Sequence, residues 1–137
     1  MRHRVMTVIA LAAAALVVAA SASASASMMH PRLAARLSGM GEHGTVNLEF
    51  TQGSGQVCWL FDLPMVRDVT GTAVHAGLGG TTLFELGMHY ARSGCEQESK
   101  MAVEHLESKP GAYSVWVNTK GHPGDLRGRL YRGMAHM

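Results

Sequence analysis

The sequence predicts an all-β fold, a small antiparallel β-sandwich with one short helix near residues 99–108. Three observations predict it. Runs with a two-residue apolar period recur about every ten residues, glycine- and proline-rich turns separate them, and a single segment changes to a helical period. The spacing suits a Greek-key, immunoglobulin-like arrangement or one like superoxide dismutase.

The elements can be justified in order. Residues 33–40 form a first strand. In residues 45–51, Val46, Leu48 and Phe50 share one face while Asn47 and Glu49 point away. The glycine-rich stretch 52–56 turns the chain into 57–63, which is apolar at nearly every position and is expected to be central and covered on both faces, with Cys58 and Leu60 on one side and Val57, Trp59 and Phe61 on the other. Pro64 ends it. Residues 70–76 and 81–86 are two further strands parted by glycines at 77, 79 and 80. Residues 99–108 place Met101, Ala102, His105 and Leu106 along one helical stripe, with Ser99 as N-cap and Pro110-Gly111 as the stop. Tyr113, Val115 and Val117 then alternate with Ser114, Trp116 and Asn118. His122-Pro123-Gly124-Asp125 reads as a turn with positive φ at Gly124, after which Leu126, Gly128 and Leu130 oppose Arg127 and Arg129.

Residues 1–27 read as an export signal: Arg2 and Arg4 precede an apolar run from Val5 to Ala20, and alanines at 22, 24 and 26 offer overlapping cleavage sites. The run is shorter than the roughly 20 residues that cross a bilayer, so cleavage rather than a lasting membrane span is expected. Residues 28–137 then form one domain. The whole chain carries a net charge of +2; without Arg2 and Arg4, ten basic residues face ten acidic ones. That balance gives no basic face for nucleic acid. Arg127, Arg129 and Arg132 form a small cationic group that reads as a solvated strand face. Cys58 and Cys95, an even pair in an exported chain, are expected to form a disulfide.

No catalytic motif is present: there is no HExxH, no GxSxG and no phosphate-binding glycine loop. His75 is the best single polar candidate, as a metal ligand or, more in keeping with one lone imidazole, as the donor of a structural hydrogen bond. Trp59 and Trp116 are read as core or cross-strand residues. The chain ends bring softer donors together. Met28, Met29 and His30 at one end and Met134, His136 and Met137 at the other suit copper, with Cu(II) at the His30 end and Cu(I) on the methionines.

Residues 113–119 and 122–128 resemble the closing signature of the CHRD (chordin-type) domain family, whose last strands run approximately YVNVHT, then NPGGEIRGQL. The likeness extends over nearly all of residues 28–137. Leu37-Ser38-Gly39 is similar to the family's opening strand, Gly44-Thr45-Val46 to its second, residues 57–60 to an LCYTL-type third, and residues 72–77 to an AHIHRG-type segment. Within the signature stand Asn118, Pro123, Gly124, Arg127 and Gly128, and the resemblance implies structural roles for them, with the Arg127 guanidinium fixing a loop. The chain departs from the family at its histidines. Ala73 replaces one, Asn118 stands where the late histidine falls, and His122 stands where the family has asparagine, so His75 alone carries over as a ligand. The resemblance implies an exported binding or structural module, acting on an extracellular or cell-envelope ligand and without catalysis. The competing expectation is a copper-binding protein or a superoxide-dismutase-like metalloenzyme that joins His75 to His43, His89 or His122.

Overall fold

A computed structural model describes residues 31–51 and 53–135. The strands run β1 (Arg32–Gly39), β2 (Glu42–Thr51), β3 (Gln56–Asp62), β4 (Val69–Ala76), β5 (Thr82–Glu85), β6 (Ser93–Gln97), β7 (Tyr113–Thr119) and β8 (His122–Arg132); a helix α1 (Lys100–Ser108) and a 3-10 turn (Pro110–Ala112) lie between β6 and β7. The all-β class with one short helix is therefore the observed one. The signal and the donors Met28, Met29, His30, His136 and Met137 lie outside the described residues.

The strands form one unbroken antiparallel sheet in the order β5-β4-β7-β8-β1-β2-β3-β6, rather than two sheets laid face to face. Burial on a single face explains how one sheet replaces two layers. Inward residues of every strand but β6, from Leu33 and Leu37 through Val46, Phe50, Trp59 and Phe61 to Val74, Phe84, Val115, Leu126 and Leu130, belong to one apolar cluster. A flat sheet of eight strands has no means of bringing them together; this one curls around them, in the direction that strand twist favours. Its two edges approach each other without pairing. Gly87, just past β5, donates its N–H to the Glu96 carboxylate on β6 at 3.0 Å.

Strand β3 departs from the expectation of two covered faces. Val57, Trp59 and Phe61 are buried, but Cys58, Leu60 and Asp62 are only partly covered, and Cys58 and Leu60 line an open hollow with Arg32, Asn47, Glu49 and Met134 on that side. Cys58 stands directly opposite Cys95 of β6, and the two are disulfide-bonded with Cα atoms 3.9 Å apart.

Ser99 caps α1 by accepting the Ala102 N–H at 3.1 Å. Of the expected stripe, Leu106 is buried and Ala102 packs against the core, while Met101 and His105 are exposed and Val103 is buried in their place. The helix and the β2–β3 turn meet at one end of the curled sheet, where Val103 lies near Gly53 and Gly55. The β1–β2 and β7–β8 turns and the β3–β4 connection form the other end. The last hairpin reverses at Lys120-Gly121, with φ +81° at Gly121, and not at His122–Asp125. Residues 123–125 are instead bulged out of β8: Val117 pairs with Leu126 and Thr119 with His122, so three residues on β8 oppose the single Asn118 on β7. Pro123 is tolerated there because the bulge asks no ladder N–H of it.

The arginines of β8 are not merely solvated. Arg129 donates to the Gly111 carbonyl at 2.9 Å and Arg132 to the Ser108 carbonyl at 3.4 Å, tying the helix and the 3-10 turn to the sheet. Among the described residues, no helix is long and apolar enough to cross a membrane.

Candidate functional site

The polar residues singled out in the sequence converge on the outer face of β4, β7 and β8. Strand register places them. Trp116 of β7 lies opposite Ala73 of β4 on one side and Arg127 of β8 on the other, with His75 two positions along β4. Since alternate residues of a strand share a face, all four side chains project to the same side of the sheet. The His75 ring stacks on Trp116 with centroids 3.7 Å apart and planes 11° from parallel. The Arg127 guanidinium carbon sits 3.7 Å above the Trp116 ring, from the opposite flanking strand. Both faces of the indole are therefore covered.

Hydrogen bonds lock this sandwich at its edges. His75 Nδ1 meets the Gly80 carbonyl at 3.0 Å; because a carbonyl only accepts, Nδ1 carries the proton. Trp116 Nε1 donates to Ser114 Oγ at 3.2 Å, and that hydroxyl donates to the Gly77 carbonyl at 2.6 Å. Arg127 donates through Nε to Gly124 O at 3.1 Å and through Nη1 to Leu78 O at 3.3 Å, reaching the β8 bulge and the β4–β5 loop. Asn118 Oδ1 accepts the Gly124 N–H at 2.5 Å, and Thr119 donates to the Asp125 carboxylate at 3.1 Å. Gly124 has φ +66°, and a Cβ there would lie 2.8 Å from Arg127 Nε and 2.9 Å from the Trp116 ring. Gly128 has no room either, since a Cβ would meet the Arg36 carbonyl of β1.

The arrangement binds loops to sheet and leaves little for a ligand. His75 is 8% exposed, and its Nδ1 is engaged. Among the described residues, the other imidazoles do not join it in a metal-holding group. His75 lies beside Ser114 at the start of β7, His122 beside Thr119 at its far end, and His43 opposite Ser38 on β1. Among the described residues, no three His, Cys, Asp or Glu side chains are grouped to hold a metal ion. The described residues thus do not assemble the histidine set that joins His75 to His43, His89 or His122. Trp59, the other tryptophan, faces the core and donates to the Ala91 carbonyl at 3.0 Å.

The C-terminal segment is seated rather than loose as far as Ala135. Asn47 both donates to Ala135 O at 3.2 Å and accepts from Ala135 N at 2.8 Å. The Met134 sulfur takes a hydrogen bond from Arg32 at 3.0 Å. Sequence reasoning missed this clasp, whose only signal is a polar Asn47 beside the apolar alternation of β2. Comparison with protein-family models, curated proteins and solved structures returned no match.

Proposed function

We propose that this chain is an exported, CHRD-like domain that acts as a binding or structural module outside the cytoplasm and carries no catalytic centre of its own. One observation supports it above the others. The polar groups of the CHRD-like closing sequence, Asn118, Gly124 and Arg127, bond to one another and to neighbouring loops, which is how a scaffold motif is used and not how reacting groups are displayed. The disulfide between Cys58 and Cys95 supports the oxidising compartment that the leader implies.

The compartment and the role are tested together. N-terminal sequencing of the chain recovered outside the cytoplasm is expected to find a start near residue 27 or 28; recovery only as an intact cytoplasmic chain contradicts export. Immobilised protein incubated with cell-envelope extract is expected to retain one class of component saturably. A protein that retains nothing and turns over an added substrate contradicts the module reading.

A further inference from the structure

The end of the sheet away from α1 carries a feature that the closing motif does not explain. The β1–β2 turn, the β3–β4 connection and the β7–β8 turn surround a hollow of about 430 Å³, lined among others by Met40, Met65, Asp68, His122, Glu42 and Asp125. Among the described residues, three that are not glycine have positive φ: Met40 (+53°), Met65 (+67°) and Asp68 (+56°). All three line this hollow.

Left-handed backbone is costly for a residue with a Cβ, and its natural occupants are glycine, asparagine and aspartate. Asp68 fits that preference; the methionines do not. Met40-Gly41 is a two-residue hairpin turn with positive φ at both positions, where Asn-Gly or Asp-Gly would form more readily. Met40 and Met65 are also 75% and 90% exposed, so neither is there to fill a core. Two thioethers are thus held, against local preference, at the rim of one concavity beside an exposed imidazole. Glu42 Oε2 and Asp125 Oδ1, on residues lining the same hollow, are sealed from solvent and take no hydrogen bond from a described residue.

We propose that this hollow binds a soft monovalent d¹⁰ cation, Cu(I) in biology, through the sulfurs of Met40 and Met65 and the imidazole of His122. Thioethers are weak ligands for hard cations and good ones for Cu(I), and a third, nitrogen donor completes a site for such an ion. Arg67 and Lys120 share the rim and offset most of the charge of Glu42, Asp68 and Asp125, so a hard dication gains little from electrostatics and the sulfur donors decide the selectivity. This goes beyond the module reading, and it differs from the copper expectation for the chain ends in using other residues.

Silver(I) is the probe, because it needs no reductant that would open the disulfide, and the protein has no free cysteine to compete for it. In purified protein carrying ¹³C-methyl methionine, one equivalent of Ag(I) is expected to shift the Met40 and Met65 methyl signals together and to saturation. Met88 and Met101, 85% and 67% exposed, serve as internal controls and should not move with them. The double variant Met40→Leu/Met65→Leu keeps volume at exposed positions and so keeps the fold; its affinity should fall at least about tenfold, the smaller loss expected even for removing a ligand's outer partner. Parallel shifts of all exposed methionines, shifts confined to the chain ends, or unchanged affinity in the double variant would each overturn the site.

Discussion

Gly124 is the residue on which the closing motif turns. Its positive φ was legible from the Pro-Gly pair, but its purpose was not: it lets the backbone pass beneath Arg127 and Trp116, where a Cβ has no space. Gly124→Val should therefore lose more than about 1 kcal/mol, from strained backbone and from displacement of the stack. Equal thermal midpoints for variant and parent would show that the position is permissive. Glu98 gives a second prediction. Burial, then the hydrogen bond and the charge of Glu96, raise its pKa from 4.5 to about 7. The folded value lies above the unfolded one, so folding takes up a proton; the stability this contributes is complete below about pH 4.5 and is lost as pH rises through 7. Glu98→Gln, which cannot ionise, should gain thermal midpoint relative to the parent on going from pH 5 to pH 8. A difference that does not change with pH would remove Glu98 from the account.

Strand β6 shows why one element escaped the sequence. Ser93–Gln97 is an edge strand with no buried residue, so it has no apolar alternation to read. Its one legible signal was Cys95, whose pairing with Cys58 now also sets the strand's register. By contrast β2, β4, β7 and the Ser99 cap were legible because each declares itself locally, through period or capping chemistry. The hairpin was misplaced by three residues because Pro123-Gly124 has turn composition and the weaker Lys120-Gly121 makes the turn. Since β6 pairs with β3 alone, the disulfide adds a covalent tie to a ladder of only five residue pairs. Replacing both cysteines by alanine should cost roughly 4 kcal/mol in the loop-entropy model for a separation of 37 residues. Amide exchange should quicken first and most in β6, and less in β1 at the sheet's interior. Uniform quickening across the strands would contradict a local tether.

The whole molecule is a single sheet whose strand order interleaves distant parts of the chain: β8 joins β1, and β4 joins β7. Such pairings have no local signal, so sequence patterning identified the strands and the all-β class but not the continuous curl. The same limit applied to the candidate site. His75, Trp116 and Arg127 were each noticed alone, and only the register across β4, β7 and β8 shows that they form one stack. That stack, with Asn118 beside it on the same face of β7, spans β4, β7 and β8, the second to fourth of the eight strands, so weakening it should lower the stability of the molecule as a unit. Urea denaturation of Asn118→Ala tests this most directly. The Gly124 N–H loses its acceptor in that variant, and the midpoint should fall by an amount worth about 1–3 kcal/mol with the slope unchanged. An unchanged midpoint would contradict the claim that the closing motif is spent on architecture, and would return Asn118 and Arg127 to the set of residues free to meet a ligand.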